Sequence, residues 1–227
     1  MLCAGAARGL VTALQPTFRA DEGADVRGEF GAVGAMKDRL LAGEPCDLIV
    51  LSAALIDELG AGGHVAGESV AAIGRVGTGI AVRAGEALPA IDDGMALRRT
   101  LLGAAAIFVP DPQRATAGIH FVDVLRRLAI HAEVAPRLRA FPNGATAMRE
   151  LAATSGAGMI GCTQVSEILY TPGVALVGAL PAEFALSTVY SVAVCTRARH
   201  PEVAHRFAQW LVGPRAAALR AQGGFAD

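Results

Sequence analysis

Lysine is nearly missing from this chain: Lys37 is the only one in 227 residues. No basic block exists, the formal net charge is −1, and aromatic residues make up only 5%. A nucleic-acid partner is therefore not expected, because neither phosphate neutralisation nor base stacking has the residues it needs. No apolar run reaches the length of a bilayer span, so membrane insertion is not expected either. Cys3, Cys46, Cys162 and Cys195 are scattered, each beside apolar residues, with no CxxC and no Cys/His cluster. That pattern gives no support for zinc or any other metal, and it reads best as buried thiols in a reducing compartment, with a disulfide pair left open. No Ser/His/Asp order, no P-loop and no paired-carboxylate motif is present, and the turn at Gly31 and Gly34 is too short a signal for a dinucleotide site. No cofactor is expected.

What is present is a large apolar inventory. The chain is 53% hydrophobic with 27 glycines, enough for one large or two small domains. Strand and helix patterns alternate from the start. Residues 1–4 read as a strand, 10–20 as a helix with Leu10, Ala13, Leu14 and Phe18 on one face, and 26–30 as a strand. A helix over 35–42 follows, then the almost wholly apolar strand 47–51 (DLIVL) and a helix over 53–59. Such alternation predicts a mostly parallel sheet covered on both faces. Residues 75–83 (RVGTGIAVR) read as a long strand with internal glycines, which suggests a bend or a crossing between lobes.

The second half continues in the same manner. A helix is expected over 91–102, and the apolar run 104–109 reads as a buried strand ended by Pro110 and Pro112. The stretch 111–128, DPQRATAGIHFVDVLRRL, then enters a helix, with Thr116 as the N-cap and Phe121, Val124, Leu125 and Leu128 at helical spacing. Strands are expected at 137–141, 158–162, 174–178 and 189–195, and helices at 145–154, 163–169, 201–212 and 214–222. A small-residue turn that opens a helix leaves backbone N–H groups at the positive end of a dipole, a ready seat for an anion. This arrangement occurs several times here.

The order and content of these segments resemble the periplasmic molybdate-binding proteins, a branch of the type II solute-binding fold. The resemblance is carried by GAARGLVTAL, by FGAVGAMKDRLLAGEPCDLIVLSAALIDEL, by RVGTGIAVR, by DPQRATAGIHFVDVLRRLAI and by GVALVGALPAE. It implies an α/β chain of two lobes, residues 1–78 plus 190–227 and residues 79–189, with mostly parallel sheets, two crossing strands near Gly77–Gly79 and Thr188–Ser191, and an anion in the interlobe cleft. Carried onto this chain, the ligand seats are Gly5, Ala6, Arg8 and Gly9 in the first loop and Ala32 and Val33 in the second. In the other lobe they are Ala117, Ala145 and Thr146. The residues themselves add Arg114, Thr116 and Gly118 before and at the opening of the long helix, and Thr163 and Gln164 as donors after the strand at 158–162. The serines usual in the first two loops are replaced by Arg8-Gly9 and Ala32-Val33, and the usual tyrosine by Gly161 or Cys162. Lost hydroxyls disfavour a tetrahedral oxyanion, whereas the arginine fork of Arg8 suits a planar carboxylate. A solvated loop arginine is the competing reading of Arg8.

The same branch is similar to the aconitate isomerases, which implies a second use of such a cleft: moving an allylic proton on a tricarboxylate. That chemistry needs anion seats and one acid/base group, for which His120 is the candidate, against a plain exposed helix position. His64, His131, His200 and His205 read as surface. Three classes of function follow: an anion-binding protein that serves an ABC-type permease, a cofactor-free isomerase, and a ligand-sensing domain. No secretory leader precedes the first strand, so the chain as written reads as cytoplasmic, and as periplasmic if a leader has been removed.

Overall fold

A computed structural model of the protein describes residues 1–226. In chain order the elements are β1 (Leu2–Ala4), α1 (Arg8–Glu22), β2 (Glu29–Gly31), α2 (Val33–Leu41), β3 (Leu48–Ser52), α3 (Ala53–Ala61), β4 (Ala71–Arg83), α4 (Gly94–Gly103), β5 (Ala106–Pro110), α5 (Thr116–Arg127), α6 (His131–Val134), β6 (Leu138–Phe141), α7 (Gly144–Ala153), β7 (Met159–Gln164), α8 (Val165–Leu169), β8 (Val174–Ala179), β9 (Ser187–Val194), α9 (Pro201–Val212) and α10 (Ala217–Gln222). They fall into two compact units, Met1–Val76 with Thr188–Asp227, and Gly77–Ser187.

In the first unit the strand order is β2-β1-β3-β9, with β4 beyond β9. β1 runs parallel to β2 and β3, and β9 is antiparallel to β3. β1 is wholly buried and so are Leu48–Leu51 of β3, as expected for strands with helices on both faces. α1 buries Leu10, Val11, Leu14 and Phe18. The expected face was right except that Val11 takes the place of Ala13, which is exposed; positions 10, 11, 14 and 18 make the narrower stripe on a 3.6-residue period. Phe18 anchors this stripe edge-to-face on Phe207 and Trp210 of α9, at 4.8 and 5.2 Å between centroids.

In the second unit the order is β4-β7-β5-β6, with β8 also paired to β4. β5 is parallel to β6 and β7, while β4 is antiparallel to β7 and β8. The alternation of β5 builds two cores. Ile107 and Val109 pack with Phe121, Val124 and Leu125 of α5, and Ala106 and Phe108 pack with Met148 and Leu151 of α7.

Several boundaries differ from those read in the sequence. Pro110 is the last residue of β5, two positions beyond Phe108, where the pairing with β7 ends, so its missing N–H interrupts no ladder on that side. Thr116 is the first helical residue of α5 and not its cap; Ala115 holds the cap position. Thr163 and Gln164 are the last residues of β7, and the helix starts only at Val165; the ladder pairs of Thr163 with Gly79 and Gln164 with Thr78 prolong the strand.

Candidate functional site

In an open α/β sheet, helices that follow parallel strands begin at the carboxyl ends of those strands, and that edge collects their N-terminal amides. In the first unit β1 ends at Ala4, β2 at Gly31 and β3 at Ser52, and α1, α2 and α3 open there, α1 by way of a single 3-10 turn, Gly5–Ala7. No side chain caps α1, α2 or α3. The residues at the first two openings are small and enclosed: Gly5, Ala6, Ala7, Ala32 and Val33 are buried, and Gly9 is half-buried. Arg8, the first residue of α1, is exposed, and its guanidinium lies over the ring of Phe30 at 5.6 Å from the centroid. Ser52 occupies the cap position of α3 but makes no capping bond, so a hydroxyl stands at this edge that the sequence reading passed over.

In the second unit the corresponding edge holds the ends of β5, β6 and β7 and the openings of α5, α7 and α8. Asp111 shapes the loop into α5: its carboxylate accepts the N–H groups of Gln113 and Arg114 at 2.7 and 3.1 Å, and its carbonyl accepts that of Ala115 at 3.1 Å. No side chain caps α5 itself. Ala117 and Gly118 are buried, Thr116 is half-buried and Arg114 is exposed. Gly118 has to be glycine, because an added Cβ would collide with the carbonyls of Pro110 and Asp111. The helix thus starts hard against the strand end.

The seat expected at Ala145 and Thr146 is different, because the chain fills it. Asn143 Oδ1 accepts the Thr146 N–H at 2.8 Å, and Glu167 Oε1 accepts the Ala145 N–H at 3.2 Å. The second carboxyl oxygen of Glu167 takes the Thr163 hydroxyl hydrogen bond at 2.5 Å. Gly144 leaves the space: a Cβ there would collide with Thr163 Oγ1 and Glu167 Oε2. Burial pushes the Glu167 carboxyl above the usual carboxylate range, against the opposing pull of Thr163 and the surrounding amides. Thr163 is therefore committed to Glu167. Gln164 is buried at the cap of α8.

Two further hydroxyls at this edge were not singled out from the sequence. Thr78 Oγ1 and Ser166 Oγ are buried, and neither has a hydrogen-bond partner. Thr78 is the ladder partner of Gln164, and Ser166 is two residues beyond it. An orphaned buried hydroxyl costs on the order of 1–3 kcal/mol, so the pair marks a place where the fold itself offers no partner.

His120, the acid/base candidate of the isomerase reading, is tied at one ring nitrogen to the turn before β9. It is half-buried, and its Nε2 lies 2.7 Å from the Phe184 carbonyl oxygen. Arg127 joins it there, donating to Glu183 O at 2.6 Å and covering the Phe184 ring at 4.7 Å. Both side chains fasten the turn Ala182–Phe184 to α5. His64, His200 and His205 are exposed and His131 half-buried. Among the described residues no group of three or more His, Cys, Asp or Glu could hold a metal ion, and no helix is long and apolar enough to cross a membrane.

Residues 1–226 match the model of a family described as bacterial extracellular solute-binding protein. The chain belongs to that family. Among solved structures, the family member is similar to the periplasmic molybdate-binding protein of Azotobacter vinelandii, with a TM-score of 0.82 at 20% identity, covering 100% of this chain and 97% of that one. The sulfate-binding protein of Mycobacterium tuberculosis H37Rv gives a TM-score of 0.74 at 20% identity, over 99% of this chain and 84% of that one. These likenesses establish the type II periplasmic binding-protein fold. A relative of known activity, an aconitate isomerase from a Pseudomonas species, is 28% identical over 228 residues, which span 96% of this chain and 83% of the relative.

Proposed function

We propose that this protein binds a small organic anion, with carboxylate groups preferred over molybdate, and that it serves as the solute-binding component of an ABC-type transporter in the periplasm. The observation that carries this reading is the state of three helix openings. α1, α2 and α5 each open beyond the carboxyl end of a parallel strand, next to small buried residues (Gly5, Ala6 and Ala7; Ala32; Ala117 and Gly118), with no side-chain cap. Helix N-termini left in that condition are satisfied by water or by an anion. α4 and α7, by comparison, are capped by Asp93 and Asn143. Gly5, Ala6, Gly9, Ala32 and Val33 then serve in the first unit, and Thr116, Ala117 and Gly118 in the second. Ala145 and Thr146 drop out, because Glu167 and Asn143 take their amides. Arg8 and Arg114 supply exposed guanidinium groups for a carboxylate.

A second reading is favoured by the aconitate isomerase relative: the same seats hold an unsaturated polycarboxylate while an allylic proton moves. Isothermal calorimetry with molybdate, sulfate, citrate and trans-aconitate tests the binding reading. Proton NMR of cis-aconitate incubated with the protein tests the isomerase. Binding without turnover supports the first, turnover supports the second, and silence from every anion removes both.

A further inference from the structure

The paired strands β3 and β9 run in register from Leu48 opposite Val194 to Ser52 opposite Tyr190. One step outside that ladder the Cys195 N–H still donates to the Asp47 carbonyl, at 3.0 Å. This sets Asp47 opposite Cys195 with Cys46 one residue before it, and the two thiols are near enough to perturb one another. The Cys46 thiol is also 3.1 Å from the Leu48 carbonyl, to which it donates. The Asp47 carboxylate is engaged elsewhere, with the N–H groups of Arg199 and His200 at 2.5 and 3.2 Å.

Both sulfur-bearing residues line a pocket of about 220 Å³, together with His64, Arg197 and Arg199. Cys3 and Cys162, by contrast, have no solvent exposure at all, and burial pushes both of those thiols up. The Cys46 thiol is held below its ordinary value, first by the hydrogen bond from Cys195. Thiolate character decides which thiol attacks.

We propose that Cys46 and Cys195 form a redox-active dithiol that closes to an intramolecular disulfide and latches the start of β3 to the end of β9. The oxidant is a small anionic disulfide of the glutathione type, for which Arg197 and Arg199 supply the charge at the pocket. The Cys46 thiolate attacks one sulfur of the oxidant, giving a mixed disulfide and releasing one thiolate. The Cys195 sulfur then attacks the sulfur of Cys46 and releases the second. Two protein thiols are oxidised, one small disulfide is reduced to two thiols, and the two protein protons end on the leaving groups.

The test treats the full chain with oxidised glutathione at pH 8, then applies intact mass, thiol titration in denaturant and peptide mapping. The expected result is a loss of about 2 Da, a fall from four titratable thiols to two, and a single bridged peptide joining Cys46 to Cys195. The melting temperature should rise by about 5–10 °C and return with dithiothreitol, since a cross-link between residues this distant in sequence restricts the unfolded chain. Cys46→Ser and Cys195→Ala should each abolish the mass loss. A thiol count that stays at four, glutathione adducts without a bridge, or a bridge that includes Cys3 or Cys162 would overturn the proposal. The peptide map of the wild type decides this even if neither variant folds.

Discussion

The Glu167 carboxylate accepts the N–H of Ala145 at 3.2 Å, so the opening of α7 holds an anion-like group that belongs to the chain itself. The other oxygen of that group takes the Thr163 hydroxyl. Removal of the carboxyl in Glu167→Ala leaves these donors buried and unpaired. The expected cost is about 2–4 kcal/mol, from two unmade hydrogen bonds and a cavity, read by urea denaturation. A change under about 0.5 kcal/mol would show that the contact carries no structural weight.

The same residue sets a pH dependence. Its folded carboxyl sits above the ordinary value because burial dominates. A raised folded value means that the stability contributed by the neutral acid is fully present below the unfolded pKa of about 4.3 and is lost as pH rises through the folded value. Glu167→Gln keeps a neutral group there. Wild type should therefore lose stability relative to Glu167→Gln on going from pH 5 to pH 9. Parallel stability profiles for the two proteins would contradict this.

Thr78 and Ser166 separate folding from ligand recognition. Their hydroxyls lack partners in the fold, so Thr78→Val and Ser166→Ala should leave stability unchanged or raise it by up to about 1 kcal/mol. If a ligand or its bound water supplies the missing partner, each variant should lose affinity by roughly tenfold, at 1.4 kcal/mol per tenfold. Thermal melts and calorimetry on the same samples give both answers. Loss of stability without loss of affinity would make the hydroxyls structural.

Arg8 tests the preference among anions. Its guanidinium lies over Phe30 at the start of α1, which holds the fork near an uncapped helix opening. Arg8→Ala should weaken a carboxylate ligand by about tenfold and leave sulfate or molybdate binding, which rests on backbone amides, nearly unchanged. Tight molybdate binding with no carboxylate signal would reverse the assigned preference.

Gly118 gives a purely steric check. A methyl group there meets the carbonyls of Pro110 and Asp111, so Gly118→Ala should move the opening of α5. We expect a loss of about 1–3 kcal/mol together with weaker anion binding. Wild-type behaviour would mean that this opening does not depend on close contact with the strand end.

Periodicity and turn chemistry were enough to read the alternation of strands and helices, and with it the parallel sheets and the small-residue openings of α1, α2 and α5. Those signals are local, since helical spacing and glycine-rich turns act within a few residues. The extra reach of β7 through Thr163 and Gln164 was not legible, because ladder pairing with Gly79 and Thr78 overrides local turn preference. The filled seat at α7 was hidden for a similar reason: a helix opening looks the same in sequence whether solvent, an anion or Glu167 sits on it. His120 likewise looked free until the fold brought the Phe184 carbonyl against it, and Cys46 met Cys195 only through the pairing of β3 with β9. The sequence by itself determined where amides are offered. Only the tertiary structure decided which of them the chain keeps for itself, because that depends on contacts between residues far apart in the chain.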